Sequence, residues 1–183
     1  MPAPALTAAC ACGCVELTAT GAPIVSAVCY CRDCQQGARL IEALPNAPRV
    51  ADPDGGTAYV LYRRDRVACT RGVSLLKSYK LDRRSTPTNR VVASCCNTAM
   101  FVNFDRGPFW VSVYRTRLGA HAPPLRLRIC TRYKPDNAVL PGGVPSHPGY
   151  PPALVIRLLA TRLAMLFGRS SPAIAPLPPA QRP

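Results

Sequence analysis

Cysteine is the residue type in this chain whose number and spacing best suit chemistry. All of the ten cysteines except Cys69 and Cys130 fall in three clusters: "CACGC" at residues 10–14, "CYCRDC" at residues 29–34, and an adjacent pair at residues 95 and 96. Closely spaced cysteines direct several sulfurs to one point, which a zinc site requires because Cys–Zn bonds are only about 2.3 Å long. In a reducing compartment this pattern favours metal ligation over disulfides.

The central cluster supplies three ligands, Cys29, Cys31 and Cys34, referred to below as the central trio. Residues two apart project to the same side of a strand, so we expect the first two sulfurs to lie together and the third to return to them after a turn. Three thiolates leave the fourth position of a tetrahedral zinc open, as in catalytic sites. The two histidines, His121 and His147, lie in a Pro- and Gly-rich region and are expected to be surface loop residues.

A second metal site is predicted around Cys10 and Cys12, which form half of a tetrahedral set. Cys95 and Cys96 are the pair available to complete it. Neighbouring residues on a strand point to opposite faces, so both can reach one metal only where the backbone bends sharply. Cys14 is an alternative fourth ligand.

Other uses of the cysteines stay open at this point. The isolated Cys69 and Cys130 are expected to be small buried hydrophobic residues. The alternatives for the clustered cysteines are disulfides, which a reducing compartment disfavours, and the reactive thiols of a redox or metal-handling protein.

The charge balance favours anionic partners, because 23 Lys and Arg against 9 Asp and Glu give a formal net charge of +14. Basic stretches at residues 63–66 and 126–128 leave open a non-catalytic zinc module that contacts nucleic acid or a protein partner. Tyr59 and Tyr62 are the rings near these arginines that would stack on bases, and no clear interleaving of aromatic and basic residues is present. Nucleic acid is therefore the less favoured partner.

The pattern of short apolar runs separated by turn signals predicts a mainly β fold of small antiparallel sheets. One short helix is expected at residues 35–44, after the central trio. The predicted strands are 14–19, 24–30, 57–62, 73–81, 89–94, 100–104 and 109–114.

The composition changes near residue 120, where a Pro- and Gly-rich segment predicts a connector over residues 120–151. A helix is predicted over residues 152–168, with Pro152 in its first turn and Gly168 as its C-terminal cap. We expect its apolar face to pack on the domain or on a second subunit, and the alternative is a basic amphipathic helix on a membrane surface. The apolar face comprises Val155, Ile156, Leu159, Leu163, Leu166 and Phe167. The tail at residues 169–183 is expected to be disordered.

The cellular location predicted from the sequence is the cytoplasm. No apolar run is long enough to span a bilayer. The first ten residues, "MPAPALTAAC", lack the basic region and the apolar length of a signal peptide.

The order of the cysteine motifs resembles the glutathione-dependent formaldehyde-activating enzyme family, within the superfamily that includes centromere protein V. The motifs are Cys10-Ala-Cys12-Gly13, then Cys29-Tyr-Cys31-Arg-Asp-Cys34, then Cys96-Asn-Thr-Ala-Met-Phe101. The resemblance covers roughly residues 8–115 and points to a divergent bacterial branch. It implies a β-tent fold and a zinc-binding β domain over residues 1–119.

The resemblance also implies an activity, which is carbon–sulfur bond chemistry that joins glutathione and formaldehyde as S-hydroxymethylglutathione. The central trio would hold the catalytic zinc, and Cys10, Cys12 and Cys96 would hold a structural zinc, so two Zn²⁺ ions are expected. Two departures are evident: the first cysteine of the family's usual last "CxxC" aligns with Ala93, and Cys95 lies beside Cys96 instead. The arginines nearest the trio, Arg32 and Arg39, are candidates to hold the two carboxylates of glutathione.

Overall fold

The computed structural model of the protein describes residues 5–81 and 86–167. These residues form two sheets and two α-helices, α1 (Arg32–Glu42) and α2 (Pro152–Phe167). The strands are β1 (Leu6–Ala9), β2 (Glu16–Ala19), β3 (Val25–Cys29), β4 (Thr57–Arg63), β5 (Val67–Arg71), β6 (Leu76–Tyr79), β7 (Thr88–Ala93), β8 (Thr98–Phe104), β9 (Trp110–Tyr114) and β10 (Leu127–Ile129).

The sheets are a three-stranded one with the order β1-β2-β5 and a seven-stranded one with the order β10-β3-β4-β9-β8-β7-β6. All of their strand pairs are antiparallel except β10 with β3. The predicted fold class, mainly β with small antiparallel sheets and a C-terminal helix, is confirmed.

The seven-stranded sheet separates two apolar clusters. Successive side chains of a strand point to opposite faces, so in β4 the side chains of Val60 and Tyr62 enter one cluster and that of Tyr59 enters the other. The three-stranded sheet covers the first cluster through residues such as Leu17. Both helices cover the second, α1 through Ile41 and α2 through its first turns. A fully buried side chain of this size contributes about 1.5–3 kcal/mol, so the clusters fix both layers against the large sheet.

The predicted strands all overlap observed ones, but three observed strands were not predicted. The segment at residues 73–81 opens with a short 3₁₀ turn, Val73–Leu75, before β6 begins. The strands β1, β5 and β10 lie at sheet edges and are three to five residues long; β1 and β5 lack a clear apolar alternation, and β10 alternates over only three residues within a Pro-rich segment. Their pairing is fixed by the neighbouring strand rather than by their own sequence.

The helix predicted at residues 35–44 begins earlier than expected, at Arg32, and ends at Glu42. The earlier start is caused by Cys31, which acts as the N-cap although cysteine is not among the usual N-cap residues. Its backbone angles are extended, and its sulfur accepts a hydrogen bond from the Cys34 backbone N–H at 3.4 Å. The central trio therefore joins the end of a strand to the first turn of a helix, instead of preceding the helix.

The segment predicted to be a connector, residues 120–151, contributes the edge strand β10 to the large sheet. Ile129 is paired in register with Cys29. On the outer side of β10, the Arg128 N–H donates to the Pro145 carbonyl at 2.8 Å, and the His147 N–H donates to the Arg128 carbonyl at 2.9 Å. This part of the chain is thus held against the strand that carries the first cysteine of the trio.

Helix α2 contacts the second apolar cluster through Leu154 and Leu158. Most of the face that sequence periodicity assigned to packing is exposed instead, namely Val155, Ile156, Leu159, Leu163 and Leu166. No helix in residues 5–81 or 86–167 is long and apolar enough to cross a membrane. The predicted cap Gly168 and the tail at residues 169–183 lie outside the described residues.

Candidate metal centres

The central trio is assembled where β3 ends and α1 begins. Cys29 is the last residue of β3, Cys31 caps α1, and Cys34 lies in the first turn of α1. Their three sulfur atoms all lie within 4.8 Å of one another. The spacing thus brings the sulfurs together as expected, although by a strand–cap–helix arrangement rather than from one side of a strand.

The three thiols have very different pKa values because they share one small space. Contacts with the other two thiols, together with the backbone N–H groups of Cys34 and Asp33, lower the pKa of Cys31 to about 3. The pKa of Cys29 is raised by interactions with the thiols of Cys130, Cys31 and Cys34, and burial raises it further. The contact with Cys29 acts to lower the pKa of Cys34, but the contact with Cys31 and burial outweigh it and raise the value to about 12. Without metal, the negative charge therefore resides on Cys31, at the positive end of the α1 dipole.

A cavity of about 240 Å³ opens beside the trio. Most of its walls are apolar or aromatic, and they come from β4, β8, β9, β10 and α2. Tyr59 provides a polar group at the sulfurs: its hydroxyl donates to the Cys34 sulfur at 3.9 Å. Burial and the neighbouring Cys34 raise the pKa of Tyr59, so its hydroxyl stays protonated.

Arg90 provides a positive charge in this cavity. Its side chain is buried, and one guanidinium nitrogen donates to the Asp33 backbone carbonyl at 2.7 Å. The other terminal nitrogen, Nη1, has no hydrogen-bond partner. Arg90 passes directly beneath α1 at Gly37, where a Cβ atom would lie 1.8 Å from the arginine Nε. Nothing in the sequence distinguished Arg90 from the other arginines.

Cys130, expected to be an isolated hydrophobic residue, lies beside the trio. It is buried in the same apolar cluster as Cys29, and interactions with the Cys29 thiol and the Tyr150 hydroxyl lower the pKa of Cys130 to about 7 although burial acts to raise it. The other isolated cysteine, Cys69, is half-buried on β5 and donates to the Arg71 carbonyl at 3.2 Å. Cys130 could not be found from spacing, because it reaches the trio through the pairing of β10 with β3.

Four other cysteines form a second cluster, called here the four-cysteine group. All four sulfur atoms lie within 4.8 Å of one another, with separations of 3.5 Å for Cys10–Cys12, 3.3 Å for Cys12–Cys95, 4.0 Å for Cys10–Cys95 and 3.9 Å for Cys95–Cys96. The exposed Cys14 is not in the group, so it is not the fourth member.

The sharp bend that an adjacent cysteine pair requires is present in the turn between β7 and β8. The Cys96 N–H donates to the Ala93 carbonyl at 3.3 Å, and Asn97 takes a left-handed conformation with φ of 50°. Burial acts to raise the pKa of Cys96, but hydrogen bonds from Thr98 and from the Cys12 backbone N–H outweigh it and lower the value to about 6. This turn thus supplies a readily ionised sulfur.

The donor sets of both clusters suit zinc. For Cys–Zn bonds of about 2.3 Å, tetrahedral geometry places sulfur atoms about 3.8 Å apart. The separations in the four-cysteine group, from 3.3 to 4.0 Å, bracket that value. All ten cysteines are free thiols, and these two clusters are the groups of possible metal ligands among the described residues. Soft thiolate donors favour zinc over hard cations such as magnesium.

The basic stretch at residues 63–66 does not present the rings expected of a nucleic-acid surface. Tyr59 and Tyr62 are both buried and cannot stack on a base. Arg63 is already paired with Asp65, at 2.5 Å. Tyr62 also has no hydrogen-bond partner for its hydroxyl.

The two arginines singled out near the trio line a shallow surface depression outside the sulfur cavity. Arg32, Arg39 and Arg132 surround it, and both Arg32 and Arg132 lie over the ring of Tyr133, with guanidinium-to-ring distances of 5.2 and 5.3 Å. Three positive charges at one place make it a candidate anion-binding surface.

Comparison with known proteins agrees with the N-terminal part of this picture. Residues 5–43 match the family model of the glutathione-dependent formaldehyde-activating enzyme. The matched residues include Cys10, Cys12 and the whole central trio, so the resemblance to that family is confirmed over this part of the chain.

The chain is also similar to a Rhodobacter sphaeroides protein whose crystal structure was solved as a structural genomics target. The two are 17% identical, the match covers 77% of this chain and 99% of that chain, and the TM-score is 0.45. No curated protein matches the chain significantly.

Proposed function

We propose that this protein is a zinc-dependent enzyme of the carbon–sulfur lyase type that acts on a thiol adduct, and that the adduct of glutathione with formaldehyde is the first candidate. The observation that carries the proposal is the central trio, three sulfurs within 4.8 Å of one another that line a cavity of about 240 Å³. A metal site beside a cavity is what a catalytic zinc needs, whereas a purely structural site is closed off by protein. The family match over residues 5–43 supports the same reaction.

Zinc would be held by Cys29, Cys31 and Cys34. Bound there, zinc would lower the pKa of a substrate thiol and polarise the oxygen of an adduct. The low pKa of Cys31 prepares the site for metal, because only the thiolate form is a ligand.

The chain's own residues would position and protonate the substrate. Addition of a thiol to formaldehyde forms a carbon–sulfur bond, breaks the π bond of the carbonyl and moves the thiol proton to the oxygen. Tyr59 lines the cavity, keeps its proton and lies in contact with Cys34, so we assign it to donating its proton to that oxygen, and the proton released by the substrate thiol then restores the Tyr59 hydroxyl. Apolar walls, including Phe104 and Trp110, exclude water that would compete for the carbonyl carbon.

Positive charges would select an anionic thiol. Arg90 presents an unpartnered nitrogen inside the buried site. Outside it, Arg32, Arg39 and Arg132 surround the surface depression and would hold the carboxylates of glutathione.

The four-cysteine group would hold a second, structural zinc. It draws on the turn after β1 and on the turn between β7 and β8, so a metal there would tie the small sheet to the large one. Two Zn²⁺ per chain follow from the proposal. The many free thiols suit a reducing compartment, and we propose a cytoplasmic location.

The proposal is tested by incubating the zinc-loaded protein with glutathione and formaldehyde and measuring the adduct by NMR, above the uncatalysed rate. We expect acceleration by the wild-type protein and its loss in Cys31→Ser. The matched control is Cys69→Ser, which removes a thiol that belongs to neither cluster and should keep the wild-type rate. Equal rates for the wild type, Cys31→Ser and buffer alone would overturn the assignment.

A further inference from the structure

Cys130 is carried to the central trio by the register of the large sheet. Strands β10 and β3 are parallel, and Ile129 pairs with Cys29. This register places Cys130 beside Tyr30, one residue beyond Cys29 and between two members of the trio in sequence. The Tyr30 N–H donates to the Ile129 carbonyl at 3.1 Å, which fixes this register at the point where both strands end.

The surroundings of Cys130 are not those of a cysteine that only fills apolar space. Cys130 is 3% exposed and is buried in one cluster with Cys29, and Cys31 and Cys34 pack against that same cluster. Its backbone is left-handed, with φ of 59°, a conformation that a non-glycine residue adopts at a cost of roughly 1–3 kcal/mol. The fold therefore maintains an unfavourable backbone conformation at the residue that places a fourth sulfur against the trio.

We propose that Cys130 is the fourth sulfur ligand of the metal bound by Cys29, Cys31 and Cys34 in the substrate-free protein. The inference rests on the metal site of the proposed function and deepens it. A set of three thiolates leaves one tetrahedral position for solvent, whereas a set of four fills it. With Cys130 as ligand, the position is closed until a substrate thiol competes for it.

The structure buries Cys130 in the same cluster as the trio, and a side-chain rotation would complete the set. The three trio sulfurs are mutually within 4.8 Å, and the Cys130 sulfur lies outside that group. Rotation of a cysteine side chain between staggered positions moves its sulfur by roughly 3 Å without any change of the backbone. A ligand that must rotate into place is also one that a substrate can displace. The Tyr150 hydroxyl, already in contact with the sulfur, provides a hydrogen bond to the thiol when it is not bound to metal.

Cadmium-113 NMR of the whole protein tests the proposal at each site separately. The resonance of a bound cadmium ion moves downfield with each thiolate that coordinates it, and cadmium prefers the same soft sulfur donors as zinc. We expect two resonances for the wild-type protein, both in the four-thiolate range, one from the trio and one from the four-cysteine group. The wild-type spectrum is the first test: the absence of any resonance in the four-thiolate range beyond the one that the four-cysteine group provides overturns the proposal, and the variants assign each resonance to its site.

Two variants assign the signal to Cys130. Cys130→Ser should move one resonance upfield by the step expected for the loss of one sulfur, and Cys69→Ser should leave both unchanged. If Cys130→Ser leaves the spectrum unchanged, Cys130 is not a ligand. The result is independent of the adduct assay. A protein with four sulfurs at the trio's metal and no adduct activity would refute the proposed function and leave this inference standing. An active protein with three sulfurs at that metal would refute this inference and leave the proposed function standing.

Discussion

The backbone N–H of Cys34 donates a hydrogen bond to the Cys31 sulfur at 3.4 Å, so the residue that caps helix α1 is also a thiol of the central trio. Helix capping and metal ligation are compatible at that sulfur, because a thiolate both accepts the capping hydrogen bond and binds metal, and the positive end of the helix dipole stabilises it. The Cys29 sulfur then meets the other two from the end of β3. A helix start and a strand end thereby build the site within six residues.

The first prediction concerns the reactivity of Cys31 in the metal-free protein. Because its folded-state pKa is lowered to about 3, Cys31 is a thiolate throughout the range from pH 5 to pH 7, and its alkylation by iodoacetamide should be nearly independent of pH there. Burial raises the pKa of Cys69, so its rate should rise about tenfold for each pH unit over that range. Peptide-resolved mass spectrometry measures both rates in one sample. A tenfold rise per pH unit at Cys31 would contradict the prediction.

The second prediction concerns the four-cysteine group. The purified wild-type protein should hold two zinc ions per chain. The Cys95 sulfur lies within 4.0 Å of the Cys10 and Cys12 sulfurs, so the Cys95→Ser variant, which lacks it, should hold one. Cys14→Ser is the matched control, since Cys14 belongs to the same "CACGC" cluster but is exposed and outside the group. Elemental analysis after gel filtration gives the counts. If Cys14→Ser loses a zinc and Cys95→Ser does not, the ligand set is wrong.

The parts of the site that the sequence predicts well are the local ones. The trio lies within six residues, so any turn brings its sulfurs close, and the spacing alone predicted that they meet. Cys95 and Cys96 were assigned because no other pair remained, and the structure adds the turn that makes an adjacent pair workable. Cys130 was missed for the opposite reason. Its place depends on a three-residue edge strand whose partner is about a hundred residues away, and no local pattern encodes that pairing.

The side of α2 that packs on the domain could not be predicted, for a similar physical reason. Periodicity correctly gave a helix with an apolar stripe, but which stripe faces the protein depends on how the preceding segment approaches the sheet. In the structure Leu154 is buried while Leu159 and Leu163 are exposed. Arg90 could not be predicted either, because a charged residue in an apolar run does not show from the sequence whether it is buried or which residues it contacts.

The third prediction concerns the close contact between Gly37 and Arg90. Gly37→Ala would place a Cβ atom 1.8 Å from the Arg90 Nε, so the arginine must move. Overpacking of this kind destabilises a protein by about 1–3 kcal/mol, and the better helix propensity of alanine offsets at most about 1 kcal/mol of that loss. Urea unfolding should therefore show a net loss of stability for Gly37→Ala. Gly142→Ala has open space around the new Cβ and should be neutral or slightly stabilising. Equal stabilities of the two variants would argue against the tight contact.

The fourth prediction separates a catalytic tyrosine from a structural one on the same strand. Tyr59 and Tyr62 are both buried in β4, but their side chains lie on opposite faces of the sheet. The Tyr59 hydroxyl is in contact with the Cys34 sulfur, whereas the Tyr62 hydroxyl has no partner. If Tyr59 donates the proton to the adduct oxygen, Tyr59→Phe should lower the rate of adduct formation by about 10²–10⁴-fold.

Tyr62→Phe is the control for that loss. Its rate should equal that of the wild type, and its free energy of unfolding should rise by about 1 kcal/mol because an unsatisfied buried hydroxyl is removed. Single-turnover adduct formation measured by NMR, together with urea unfolding of all three proteins, distinguishes the two effects. A Tyr59→Phe variant that keeps the wild-type rate would show that the proton comes from another donor. A Tyr62→Phe variant as slow as Tyr59→Phe would show that the loss reflects the strand as a whole rather than the hydroxyl at the cavity.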